Sequence, residues 1–177
     1  MTLTRVYLDT EFTSLNRSQA KLISLALVAP VGKEFYVELL DAWTPTDCSP
    51  FVLEIVLSQL NNDKYGRTTE QARDELFAFL QSLGPVEIIS DAPAHDWPML
   101  LWLAGPAGLP INVRPEPDAL RIDFAADCSG EEPPHHALED ARLLAKLGEQ
   151  ARSAESDLLI SASINHIEPE AVRSRTL

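Results

Sequence analysis

The chain has 177 residues, of which 45% are hydrophobic, and this length and composition predict one domain with a substantial core. Its 27 acidic and 14 basic residues give a net charge of −13, which excludes a general affinity for polyanions such as duplex nucleic acid. No apolar run approaches the roughly 20 residues of a membrane span, and charged residues appear before any signal-peptide core. A cytoplasmic protein without a membrane partner is therefore expected.

The N-terminal part of the chain predicts three consecutive strands. Apolar runs place these strands at 5–9 (RVYLD), 21–29 (KLISLALVA) and 33–40 (KEFYVELL). Val31 and Gly32 suit a tight turn between the second and third strands. These three consecutive strands predict an antiparallel meander.

Helical and strand patterns alternate in the rest of the chain. Thr68 and Gln71 form a capping-box pattern at the start of a helix that ends before Gly84 and Pro85. The other predicted elements are a short helix within 49–60, a strand at 86–90, a helix that Asp96 caps, a strand within 119–124 and a helix within 135–150. This order predicts an α/β fold.

Two acids, Asp9 and Glu11, close the first predicted strand. Since successive strand residues point to opposite faces, residues two apart project from the same face. Neighbouring carboxylates repel each other, and magnesium or manganese, which prefer oxygen ligands, would relieve that repulsion. The alternative at this point is that Asp9 only ends the strand and that Glu11 lies beyond it in solvent.

The last predicted helix carries another acid in an apolar setting. Asp140 lies three residues after Ala137 and four before Leu144, on the largely buried side of the helix. An unpaired carboxylate is costly there, and a metal or a cationic partner would remove the cost. His135 lies at the junction of loop and helix, five residues before Asp140.

A third acidic segment, SDAPAHDW, follows the strand predicted at 86–90. Its carboxylates, Asp91 and Asp96, are either further ligands or simple turn and capping residues. The strand ends of α/β sheets are where ligands usually bind, so acids at two strand ends predict a site there.

Together these segments resemble the DEDDh family of 3′-to-5′ exonucleases. DTEFTSL, 9–15, is similar to the family's first motif, Asp-x-Glu-x-Thr-Gly-Leu, with Ser14 in place of the usual glycine. HHALEDA, 135–141, resembles the third motif, His-x4-Asp, at His135 and Asp140. AHDWPML, 94–100, resembles the second motif without its usual Asn-x-x-Phe-Asp form, and favours Asp96 over Asp91.

The resemblance implies a ribonuclease H-like fold, in which helices flank a mixed sheet made of the antiparallel meander and parallel strands. It covers residues 5 to about 148. We therefore expect an exonuclease domain at 1–152, with 153–177 as a C-terminal helix or tail of the same domain. The apolar residues at 158–160 are compatible with a homodimer or with packing on the domain's own core.

The resemblance also implies a two-metal phosphodiester hydrolase. Its magnesium or manganese ligands would be the four carboxylates of Asp9, Glu11, Asp96 and Asp140. His135 would be the general base. Thr10 would contribute backbone contacts, and Phe12 and Leu15 would contact the last bases, unless they pack in the core.

The implied partner is a single-stranded or short 3′ end, cut to 5′-mononucleotides, with RNA preferred over DNA. Three alternatives stay open: a DNA-specific exonuclease, a non-catalytic adaptor that binds proteins through its acidic surface, and a metal-dependent hydrolase of a small phosphoester. Candidate phosphate contacts are Arg17, Lys21, Arg114 and Arg121, although exposed surface positions account for each more simply.

Overall fold

A six-stranded mixed sheet is the centre of the computed structural model, which describes residues 3–120 and 134–165. The strands are β1 (Thr4–Phe12), β2 (Leu22–Ala29), β3 (Lys33–Leu39), β4 (Gly66–Arg67), β5 (Val86–Ser90) and β6 (Asp118–Ala119). Their order across the sheet is β4-β3-β2-β1-β5-β6. The first three strands form the antiparallel meander, and β5 joins β1 in parallel, so the predicted α/β class and mixed sheet are confirmed.

The helices lie on both faces of the sheet. They are α1 (Asn62–Tyr65), α2 (Thr69–Gln81), α3 (Pro93–Ala104) and α4 (Ala137–Asn165). Apolar residues of α2 and α3 pack with the larger core cluster on one face, whereas the first turns of α4 pack on the other. The central strand β2 is buried along its whole length because both faces are covered.

Local sequence signals account for the best-predicted elements. The Thr68 hydroxyl accepts from the backbone N–H of Gln71, and the Gln71 side chain accepts from the backbone N–H of Thr68, which completes the predicted capping box of α2. Gly32 has a φ of 76° in the turn between β2 and β3, a left-handed conformation that suits glycine. The strand predicted at 86–90 is β5.

The structure excludes one alternative and corrects two local predictions. Glu11 does not lie beyond the strand in solvent, because β1 continues to Phe12 and Glu11 pairs with Ser24 of β2. Asp96 does not cap α3, since the helix begins at Pro93 with Ala92 as its N-cap. Residues 49–60 form a π-helical turn, Val52–Val56, followed by a 3-10 turn, Leu57–Gln59, instead of one regular helix.

Other predictions fall partly outside the described residues. β6 overlaps the start of the strand predicted within 119–124, and 121–124 lie outside. The backbone of α4 continues across residue 152 to Asn165, while the side chains at 158–160 lie outside the described part. Among the helices within residues 3–120 and 134–165, none combines the length and the apolar character needed to cross a bilayer.

Candidate metal centre

A cleft of about 520 Å³ lies where β1 and β5 end, between the N-terminal turns of α3 and α4. The walls come from four separate parts of the chain: β1 and the loop after it, the segment at 49–52, the residues after β5, and the start of α4. The cleft brings together all of the site residues predicted from the sequence, namely Asp9, Thr10, Glu11, Phe12, Leu15, Asp96, His135 and Asp140.

The acidic side chains of the cleft form two groups that share Asp9. Carboxylate oxygens of Asp9, Asp91 and Asp96 lie within 4.8 Å of one another. Oxygens of Asp9, Glu11 and Asp140 do the same. Each group presents three oxygen ligands at a separation that one divalent cation can span after a small adjustment, so these residues could hold metal.

The sheet explains why the two groups meet at Asp9. Asp9 and Glu11 lie on the same face of β1 as Tyr7, which packs against Leu144 of α4, and they therefore point toward the helix that carries Asp140. Thr10 points to the opposite face, where α3 supplies Asp96. At the end of β1 the side chains of both faces can reach one point beyond the sheet edge.

Two hydroxyl groups fix the carboxylate of Asp96. The Thr10 hydroxyl donates to Asp96 Oδ1 at 2.7 Å, and the Ser90 hydroxyl donates to Asp96 Oδ2. All three side chains are buried. The sequence-based prediction included neither the side-chain hydrogen bond of Thr10 nor that of Ser90. The sequence signal available for Ser90 was its position at the end of a strand.

Two carboxylate oxygens in the cleft are buried without a hydrogen-bond partner among the described residues. They belong to Asp91 and Asp140, in each case Oδ1. The other oxygen of Asp140 accepts from the backbone N–H of His136 at 2.9 Å. Leaving a buried acceptor unpaired costs about 1–3 kcal/mol, more for a charged group, and a coordinated cation would remove that cost. The donor set therefore fits a divalent metal.

Burial raises the pKa of every carboxyl group in the two groups, and repulsion between carboxylates adds to the rise for all of them except Asp91. Burial, followed by the charges of Asp96 and Glu11, raises the pKa of Asp9 well above its ordinary value. Burial and the charge of Asp140 raise the pKa of Glu11 to about 8. Burial raises the pKa of Asp96 to about 6, against the effect of its hydrogen bonds from Ser90 and Thr10.

Burial likewise raises the pKa of Asp91 and of Asp140. The raised pKa values mean that ionising all of these neighbouring carboxyl groups at once is unfavourable. Divalent cations would favour the charged forms, so the electrostatics and the donor set indicate the same ligand.

His135 is held in an uncommon backbone conformation at the mouth of the cleft. Its φ is 55°, in the left-handed region, which costs a non-glycine residue about 1 kcal/mol or more. The side chain of Gln59 donates to the carbonyl oxygens of Pro134 and His135 at 3.0 and 3.1 Å. The ring of Phe51 meets the His135 imidazole edge-on, with centroids 4.9 Å apart. These contacts hold the imidazole beside the acids.

An apolar and aromatic wall completes the cleft. The ring of Phe12 stacks on the imidazole of His95, with centroids 5.6 Å apart and planes 9° from parallel. Arg17 Nε donates to His95 Nε2 at 3.3 Å. Leu15 is 80% exposed and Phe51 is 50% exposed, so neither is an ordinary core residue. This wall presents flat and apolar surfaces beside the acids.

The described lining of the cleft contains no lysine or arginine, and two of the candidate phosphate contacts pair with acids. Lys21 pairs with Asp47 at 2.8 Å, and Arg114 pairs with Glu87. Arg121, the remaining candidate besides Arg17, lies outside the described residues.

Comparison with protein-family models gives no match, and comparison with curated proteins gives none either. The chemistry of the cleft is therefore inferred from its own residues and geometry.

Proposed function

We propose that this protein is a magnesium- or manganese-dependent 3′-to-5′ exonuclease of ribonuclease H-like fold, acting on single-stranded or short RNA ends. The observation that carries the proposal is the convergence of three distant segments on one cleft: the acid pair of β1, Asp96 of α3, and the His135 and Asp140 pair of α4. A carboxylate cluster with a histidine at its rim suits hydrolysis of a phosphodiester.

The acids of the two groups would hold the cations. When bound, the cations would supply positive charge that stabilises the attacking and leaving oxygens of the phosphodiester. Asp9 belongs to both groups and would serve both positions. Thr10 and Ser90 keep the Asp96 carboxylate in one orientation, so little reorganisation is needed when the site fills.

His135 would act as the general base. It lines the cleft beside Asp140 and can take the proton of the attacking water. The carbonyl contacts from Gln59 and the edge of the Phe51 ring hold it in place, which is what a base near a fixed reaction centre requires.

The wall of Phe12, Leu15 and Phe51 would contact the terminal bases. Stacking on such surfaces is worth about 1–3 kcal/mol per base and tolerates any sequence, which suits a nonspecific exonuclease. The net charge of −13 and the absence of lysine and arginine from the described lining of the cleft disfavour long duplexes. RNA is the preferred substrate of the proposal, and a homodimer in the cytoplasm remains part of it.

The test is a time course with Mn²⁺ on 5′-labelled single-stranded RNA and DNA of one sequence, beside the His135→Ala variant. We expect a ladder that shortens from the 3′ end, runs faster on RNA and disappears in the variant. Cleavage of DNA alone would support the DNA-specific alternative. Hydrolysis of a mononucleotide ester without cleavage of either strand would indicate a small-phosphoester hydrolase, and no reaction with several metals would refute the proposal.

A further inference from the structure

A row of polar side chains extends beneath α4 from Glu11 of the cleft toward β3. In the sheet register Glu11 of β1 lies beside Ser24 of β2, and Ser24 lies beside Glu38 of β3. Ser24 and Glu38 are both 0% exposed. A buried glutamate is costly unless its carboxylate is used, so the contacts of Glu38 need an explanation.

Glu38 binds two donors through one oxygen. The Tyr36 hydroxyl donates to Glu38 Oε1 at 2.9 Å, and the backbone N–H of Asn61 donates to the same oxygen at 2.9 Å. The second oxygen, Oε2, is buried without a hydrogen-bond partner among the described residues. Because the Tyr36 hydroxyl donates to Oε1 of Glu38, this hydrogen bond fixes the direction in which the hydroxyl proton points.

Tyr36 also contacts the segment that carries His135. Its oxygen lies 3.4 Å from His136 Nε2, and its ring lies 5.1 Å from the His136 imidazole, centroid to centroid. The tyrosine has a single hydroxyl proton, which it gives to Glu38, so its oxygen can only accept from His136. This requires the His136 tautomer that carries its proton on Nε2.

His136 connects this network to the cleft. Its backbone N–H donates to Asp140 Oδ2, and it directly follows His135 with its left-handed backbone. Gln59 holds the same segment from the other side through the carbonyl oxygens of Pro134 and His135. The segment at 134–136 is thus held between the segment at 49–60 and strand β3.

We propose that Tyr36, oriented by Glu38, is a positioning residue that holds His136, and through it His135 and Asp140, in the geometry used for hydrolysis. The catalytic part of this inference rests on the proposed function. The conformational part does not, because it concerns a tautomer and a backbone conformation. A carboxylate or amide oxygen at position 38 can accept the Tyr36 proton, whereas a hydrophobic side chain cannot.

The central variant is Tyr36→Phe, which removes the hydroxyl and keeps the ring. Tyr65→Phe is the matched control, since the Tyr65 ring packs edge-on against Tyr36 at 4.8 Å. Glu38→Gln keeps an acceptor oxygen, whereas Glu38→Met removes it. We expect Tyr36→Phe to lower kcat on the RNA oligonucleotide roughly tenfold at saturating Mn²⁺, with KM unchanged. We expect Glu38→Met to match it, and Glu38→Gln and Tyr65→Phe to stay within about twofold of the unsubstituted protein.

The second readout needs no substrate. In ¹⁵N-labelled protein the imidazole signals, assigned with single histidine substitutions, should show His136 protonated on Nε2. Tyr36→Phe should shift the His135 and His136 signals, and Tyr65→Phe should shift neither. This measurement decides the positioning role even if the protein cleaves no nucleic acid, and Tyr36→Phe keeps the test open should Glu38→Met not fold.

Two results would overturn the inference. One is a His136 that carries its proton on Nδ1 in the unsubstituted protein. The other is a Tyr36→Phe variant with unchanged imidazole signals, whether kcat stays constant or falls only in proportion to the folded fraction, because either behaviour indicates a purely structural tyrosine.

Discussion

Replacing Glu11 by glutamine should make the stability of the metal-free protein less dependent on pH. Burial and the charge of Asp140 raise the pKa of Glu11 from an ordinary 4.5 to about 8. Between these two values the unfolded chain binds fewer protons at this position than the folded chain. The free energy of unfolding therefore falls as the pH rises through this window, and the contribution of Glu11 is fully present only below the lower value.

The size of the effect follows from the two pKa values. A protonation equilibrium changes by about 1.4 kcal/mol per pH unit, so Glu11 costs the folded state about 2 kcal/mol at pH 6 and about 4 kcal/mol at pH 8. The difference of about 2 kcal/mol corresponds to a melting temperature lower by roughly 4–8 °C for a chain of this length. Glu11→Gln removes this dependence because glutamine does not titrate.

The assay is thermal unfolding in EDTA at several pH values between 6 and 8. The control is Asp74→Asn, since Asp74 is exposed on α2 and does not line the cleft. We expect the control to follow the unsubstituted protein and Glu11→Gln to give a flatter curve. Parallel curves for all three proteins would refute the assignment of the raised pKa to Glu11.

Three further predictions concern the same cleft. Mn²⁺ at about 100 times its dissociation constant should stabilise the protein by about 2.7 kcal/mol, and Asp9→Asn should abolish the accompanying rise in melting temperature. Thr10→Val removes the hydroxyl that donates to Asp96 and should raise the half-saturating Mn²⁺ concentration about tenfold in the same melting assay, and an unchanged value would contradict its role. His135→Ala should lower kcat by about 100-fold or more while keeping the rise with Mn²⁺, and loss of both would indicate a structural histidine.

Local patterns in the sequence were sufficient for the elements whose signals lie within a few residues. The capping box fixed the start of α2, and the alternation of strand residues placed Asp9 and Glu11 on one face. Asp140 could be placed on a buried helix side because the apolar residues around it recur at helical spacing.

Contacts between distant segments could not be predicted in this way. The Tyr36 oxygen and His136 Nε2 are separated by 100 positions in the chain, and Gln59 reaches His135 across 76. Such pairs depend on the register of β3 and on the conformation of the segment at 49–60. That segment contains a π-helical turn, which has no simple local signature in the sequence. The start of α3 was misplaced because Pro93, a good first helical residue, competed with Asp96 as a helix start.

The acidic character of the chain and the electrostatics of the cleft have one physical explanation. Five carboxyl groups with raised pKa values meet at the end of β1, so the metal-free fold is destabilised by the charges that a cation would need. A lysine or arginine among them would relieve the repulsion without metal and would also occupy the position of the ions. Several described positive side chains instead pair elsewhere, as Lys21 does with Asp47 and Arg114 with Glu87. The cleft is thus left negatively charged, and divalent cations bound there would allow an acidic protein to hold a phosphodiester, as the proposed function requires.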